Sequence, residues 1–137
     1  MDKELKRAII MENYSNPINR KRMEGYETAN TRNSSCIDNI DLYVDVKDDV
    51  IKDITFEGEA CAISISSTSI MINNLIGKTI AEAKEYIKNF ENMINEKDYD
   101  KDLLKEAIVY DEIYKQANRK TCALLPYEGI KKIIDKK

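Results

Sequence analysis

A chain of 137 residues, 42% hydrophobic and 34% charged, is long enough to bury one core without disulfide or metal staples. Its longest apolar run is far too short to span a bilayer, and a net charge of −3 with acids and bases interspersed argues against a phosphate-backbone footprint, so neither a membrane nor a nucleic acid is an expected partner. The absence of histidine excludes every His-based triad, general base and zinc site, which leaves sulfur and oxygen to bind any metal.

Residues 1–7 carry both charge signs, and only four apolar residues, Ala8 to Met11, follow before Glu12. No signal-peptide core is expected there, and the expected location is the cytoplasm. Leu5, Ala8, Ile9 and Tyr14 among charges predict a short amphipathic helix that stops before Asn16-Pro17, where the residue preceding proline disfavours the α region. Residues 16–32 read as a polar loop with a short edge strand at 26–30.

From 40 to 46 the chain alternates, with Ile40, Leu42, Val44 and Val46 on one face, as a half-buried strand requires. Lys47-Asp48-Asp49 supplies a turn, and residues 50–56 resume β composition, so the two runs predict an antiparallel hairpin closed by Gly58. Between Cys61 and Gly77, small residues (Ser64, Ser66, Ser67, Thr68, Ser69) alternate with Ile63, Ile65, Ile70, Met71 and Leu75. This pattern predicts a buried helix that packs closely through its small side chains; the serine run lacks a partnering base for nucleophilic catalysis. Thr79-x-x-Glu82 is a capping box for a helix with Ala83, Ile87, Phe90 and Ile94 on one face. Residues 95–102 form a charged connection, 103–113 another short helix, and a last helix is expected over 122–134, because Pro126 is comfortable only near a first turn and Gly129 costs about 1 kcal/mol in a helix interior. The order predicts one α+β domain over 1–137, with helices on one side of a small three-stranded antiparallel sheet.

Three cysteines without a secretory signal suggest reduced thiols rather than paired disulfides. Cys36 falls before a strand, Cys61 between a strand and a helix, and Cys122 at the expected start of the last helix. All three are element ends, which can converge at one end of a sheet. Asp38 follows Cys36 by two residues, so in extended chain both side chains face the same way. A Cys36, Asp38, Cys61, Cys122 set would be strongly anionic and would suit zinc or iron–sulfur chemistry, with Arg119 and Lys120 nearby as compensating charge. The spacing matches no general zinc-finger pattern, and buried unconnected cysteines are the plainer alternative on spacing alone.

The local motifs around these residues point further. Asn16-Pro17-x-Asn19-Arg20 resembles NPxNRG, and Asn33-Ser34-Ser35-Cys36-Ile37-Asp38 resembles NPxCGD. Residues 56–64, Phe-Glu-Gly-Glu-Ala-Cys-Ala-Ile-Ser, are similar to FxGxGCxIS, 66–71 to ASASMM, and Arg119-Lys120-Thr121-Cys122-Ala123 to RxKCA. Together they resemble the IscU/SufU/NifU N-terminal family of iron–sulfur assembly proteins, with a SufE/NifU-like fold. Thr121 where the IscU branch carries histidine, and the extra segment at 95–117, resemble the SufU branch. The departures are Ser34, Ile37 and Ala60, where the family pattern has proline, glycine and glycine, and Thr121, where SufU has lysine.

What the resemblance implies is a zinc ion held by Cys36, Asp38, Cys61 and Cys122 in a sulfurtransferase that accepts persulfide sulfur from a SufS-type cysteine desulfurase. Cys36 is then the acceptor thiol, Arg119 assists, and downstream Suf assembly proteins are further partners. The alternatives are a non-enzymatic scaffold that assembles a 2Fe–2S cluster, or holds iron, on the same ligands, and a structural zinc domain.

Overall fold

The computed structural model describes residues 1–34 and 37–137. A first helix, α1 (Lys3–Ser15), precedes three strands, β1 (Glu27–Arg32), β2 (Asn39–Lys47) and β3 (Val50–Glu59). Helices α2 (Ala62–Leu75), α3 (Ile80–Ile94), the single turn α4 (Lys101–Leu104) and α5 (Ala117–Ile134) follow, with two 3-10 turns at Lys105–Tyr110 and Ile113–Lys115 ahead of α5. The strands form one antiparallel sheet in the order β1-β2-β3. The α+β architecture expected from the sequence is therefore the one observed.

The hairpin turns on Asp48 and Asp49, both with positive φ (53° and 64°), the left-handed pair that a two-residue type I′ turn demands. Ile40, Leu42 and Val44 of β2 are buried, as their alternation requires. In β3 the buried pair Ile51 and Ile54 is three apart, which a regular strand would send to opposite faces. A register shift resolves this: Asp45 pairs with Asp53 but Val46 pairs with Ile51, so Lys52 is the extra residue of a bulge. Gly58 does not close β3 but lies inside it, at φ 127°, where a Cβ would stand 2.1 Å from the carbonyl oxygen of Asn39. Its role is close approach of the β2 and β3 backbones.

The capping box at Thr79 and Glu82 is present, and Asn89 of α3 accepts from the Asp100 N–H at 2.9 Å. The single helix expected over 103–113 is instead one turn of α helix followed by 3-10 turns, with Lys105 at φ 49°, ψ −124° between them. Alternation of Leu103, Leu104, Ala107 and Ile108 indicates which side chains turn inward, and says nothing of whether the turns close on the third or the fourth residue.

Helix α5 begins at Ala117, five residues earlier than expected, and Pro126 lies in its interior. A proline at 126 deprives the carbonyl of Cys122 of its helical donor. The Ser64 hydroxyl stands 3.0 Å from that carbonyl, a donor within reach in place of the missing amide, and the helix runs on through the proline. Gly129 explains itself in the same helix: a Cβ there would lie 2.7 Å from Leu42 Cδ1 and 3.1 Å from Thr31 Cγ2, so its absence lets α5 lie directly on β1 and β2. The Thr31 hydroxyl donates to the Leu125 carbonyl at 3.0 Å across this contact.

The serines of α2 do more than permit close packing. Ser67 donates to the Ala123 carbonyl (2.7 Å), Ser66 pairs with the Tyr110 hydroxyl (2.6 Å), and Ser69 donates to Asn13 of α1 (2.8 Å). Buried hydroxyls must find partners, and here each finds one on a different neighbouring element, so α2 ties α1, α5 and the 3-10 turns together. No helix among the described residues is long and apolar enough to cross a membrane.

Candidate metal centre

The pairing of Asn39 with Glu59 at one end of the hairpin carries the chain just beyond each strand, Asp38 on one side and Ala60-Cys61 on the other, to the same place. The Cys61 N–H donates to Asp38 Oδ1 at 2.8 Å. That bond turns the second carboxylate oxygen inward, where the Cys61 thiol lies 3.6 Å and the Cys122 thiol 3.5 Å from Oδ2. The Ser64 hydroxyl also reaches Oδ2, at 3.1 Å. Asp38 and Cys122 are buried and Cys61 is half-buried.

Cys61 is the N-cap of α2, and its sulfur accepts the Ser64 N–H at 3.5 Å. The expectation of a helix start behind this thiol holds. It fails for Cys122, which occupies the second turn of α5, beyond the reach of an effect confined to the first turn. Burial, first, and then the neighbouring Cys61 and Asp38 push the Cys122 thiol up to about 12. In the absence of a cation this sulfur therefore keeps its proton.

The donor set fits a divalent metal. One ligand atom from each of Asp38, Cys61 and Cys122 lies within 4.8 Å of the others. With zinc–sulfur bonds of about 2.3 Å and zinc–oxygen bonds of about 2.0 Å, a tetrahedral site requires sulfur–oxygen edges of about 3.5 Å; the two edges here are 3.6 and 3.5 Å. Two thiols and one carboxylate with no histidine suit zinc or iron–sulfur species and disfavour magnesium or calcium. The buried carboxylate, which would otherwise repel two thiolates, is the charge such an ion would neutralise.

Of the four ligands expected from the sequence, the fold brings these three together, while Cys36 lies outside the described residues. Its neighbour Ile37 presents a side chain that is 80% exposed. Arg119, in the first turn of α5, is exposed and lines a groove of about 770 Å³ that also reaches Cys61, Cys122, Ile63, Ile113 and Arg7 of α1. The groove runs from the sulfurs to the inner side of α1, whose Lys6 is bound to Asp111 at 2.7 Å. Ser64 is the residue that sequence reasoning missed. Its signal was legible: a serine three residues after Cys61, together with a proline four residues after Cys122.

Residues 5–123 match the family described as NifU-like N terminal domain. The zinc-dependent sulfurtransferase SufU of Bacillus subtilis (strain 168) is 32% identical over 133 residues, covering 96% of this chain and 90% of that protein. The iron-sulfur cluster assembly scaffold protein IscU of Thermotoga maritima is 34% identical over 105 residues, covering 77% of this chain and 74% of its own. The FiSufU protein of thermophilic Fervidobacterium Islandicum AW-1 superposes with a TM-score of 0.89 at 35% identity, covering 92% of this chain and 93% of that one. The fold, the Asp38–Cys61–Cys122 cluster and these similarities agree, and the chain belongs to the NifU-like N terminal domain family of iron–sulfur cluster assembly proteins, with SufU and IscU proteins as its relatives.

Proposed function

We propose that this protein is a zinc-dependent sulfurtransferase that accepts persulfide sulfur from a SufS-type cysteine desulfurase in the cytoplasm. The observation that carries the reading is the pair of sulfur–oxygen distances about Asp38, 3.6 and 3.5 Å, in a chain without histidine. The similarity to the zinc-dependent sulfurtransferase SufU of Bacillus subtilis supports it.

Asp38, Cys61 and Cys122 hold the ion, and Cys36 is both the fourth ligand and the acceptor. Bound zinc supplies charge that keeps thiols deprotonated at neutral pH and protects them from oxidation. Cys61 is tied through its backbone to Asp38, and Cys122 sits inside a helix packed on the sheet, so both are suited to holding rather than moving. In the transfer the Cys36 thiolate attacks the outer sulfur of the desulfurase persulfide. The sulfur–sulfur bond of the enzyme breaks, its cysteine leaves as thiolate, and Cys36 carries the persulfide with its proton. Arg119, exposed beside the sulfurs, assists by offering positive charge to the departing thiolate or to the docking surface. Downstream Suf assembly proteins then receive the sulfur.

Anaerobic mixing of the zinc-loaded protein with a SufS-type desulfurase and cysteine tests the reading. Desulfurase turnover should rise, and mass spectrometry should find one added sulfur on Cys36; Cys36→Ala should abolish both. Unchanged turnover with zinc loaded would overturn it.

A second reading, a scaffold that assembles a 2Fe–2S cluster on the same ligands, is favoured by the similarity to the scaffold protein IscU of Thermotoga maritima, since thiolates serve both chemistries. Metal analysis of protein purified without air separates the two: stoichiometric zinc supports transfer, and iron with acid-labile sulfide supports scaffolding.

A further inference from the structure

We propose that Ser64 is a positioning residue whose one hydroxyl proton alternates between Asp38 and the carbonyl of Cys122 according to whether the metal site is loaded, and that Pro126 is what makes this alternation contribute to metal affinity. The inference rests on the reading that Asp38, Cys61 and Cys122 hold a metal ion.

Ser64 is fully buried, and its oxygen stands 3.1 Å from Asp38 Oδ2 and 3.0 Å from the Cys122 carbonyl. A hydroxyl has a single proton to donate, so the two acceptors compete for it. The Cys61 sulfur lies 3.6 Å from the same oxygen. In the empty site Oδ2 is a buried carboxyl oxygen with no cation beside it, and it draws the Ser64 proton. The Cys122 carbonyl then lacks the donor that Pro126 cannot supply. With Oδ2 committed to a cation its demand for a proton falls, and the hydroxyl turns to the carbonyl. Loading therefore gives the buried Cys122 carbonyl a donor that the empty site denies it, while the hydrogen bond that Ser64 gives up at Asp38 is replaced there by the ion, and the carbonyl's share is what Pro126 adds to the affinity. The same proton links the Asp38 corner of the site to the turn of α5 that carries Cys122.

Replacing Pro126 by alanine gives the carbonyl an N–H donor in both states and so removes the differential gain. Zinc affinity, measured by chelator competition on the full chain, should fall about tenfold in Pro126→Ala, the equivalent of one recovered buried hydrogen bond. In the Ser64→Ala background the carbonyl lacks the hydroxyl in both states, and adding Pro126→Ala should change affinity by less than about twofold. Equal effects in the two backgrounds, or no effect of Pro126→Ala with Ser64 present, would overturn the inference.

A second readout needs no Ser64 variant. The Cys122 carbonyl carbon-13 resonance should move toward its hydrogen-bonded position on zinc loading in the wild type, and should move distinctly less in Pro126→Ala; equal movement overturns the proposal. Asp38→Ala separates the two levels of the argument. If it retains wild-type zinc affinity, the metal-site reading fails and takes this inference with it. If it weakens binding while Pro126→Ala does not, the inference alone fails.

Discussion

The backbone N–H of Cys61 donates to Asp38 Oδ1 at 2.8 Å, and through that bond one end of the β hairpin and the start of α2 hold the carboxylate with its other oxygen toward the two thiols. The carboxylate has two separable jobs, an acceptor for the Cys61 N–H and an anion for the site. Asp38→Asn keeps the amide oxygen for the first and loses the second. Its zinc affinity should fall by at least about 10-fold, while its metal-free stability stays within about 1 kcal/mol of the wild type. Asp38→Ala loses both, and leaving the half-buried Cys61 N–H without this acceptor should cost about 1 kcal/mol more. Chelator competition and urea unfolding of the stripped proteins distinguish the two; equal stability of the asparagine and alanine variants would contradict this division.

Gly129 offers a test in which helix propensity and packing oppose one another. Alanine should favour α5 by about 1 kcal/mol on propensity alone. Its Cβ, however, would stand 2.7 Å from Leu42 Cδ1 and 3.1 Å from Thr31 Cγ2, and overpacking of this kind costs about 1–3 kcal/mol. The net expectation is a loss of about 1 kcal/mol and a lower melting temperature. A rise in melting temperature would mean that α5 is free to move off the sheet.

Lys105 holds φ 49°, ψ −124° between α4 and the 3-10 turn, a backbone state in which a Cβ is strained and glycine is not. Lys105→Gly should stabilise the metal-free protein by about 1 kcal/mol. Thermal unfolding checks this, with Lys101→Gly, one turn earlier in ordinary helix, as the control that should destabilise.

The raised Cys122 thiol has a consequence at alkaline pH. In the unfolded chain the thiol titrates near its ordinary 9.0, whereas in the metal-free fold burial and its neighbours hold it to about 12. The folded state therefore binds the proton more tightly. The associated stability is fully present below pH 9 and is lost as pH rises toward 12, at up to about 1.4 kcal/mol per pH unit. Tyrosines with raised values, whose ordinary value is 10.0, contribute a decline of the same sign as pH approaches 10, so the thiol's share is the difference between the wild type and a variant without it. Urea unfolding of metal-stripped protein at pH 8, 9 and 10 should show this decline, and in Cys122→Ala it should be shallower, by about 1 kcal/mol at pH 10. An identical decline in the variant would assign it to other groups.

Much of the molecule was legible in its residues. Alternation at Ile40, Leu42 and Val44, the Thr79–Glu82 capping box and the Asp48-Asp49 turn are local physics, in which each residue's conformational preference acts over a few neighbours, and they determined the sheet and α3. The chain also determined which elements could bind metal: with no histidine and three cysteines, only sulfur and oxygen remained, and the local motifs named the family. What only the tertiary structure decided came from contacts between residues far apart in sequence. The start of α5 at Ala117 could not be read past Pro126, because the donor within reach of the carbonyl that the proline leaves unpaired belongs to Ser64 on another element. Gly129 reads as a weak point until Leu42 and Thr31 are seen beneath it. The Asp38–Cys61–Cys122 cluster likewise depends on strand register and on how α5 crosses the sheet, and no local pattern encodes either.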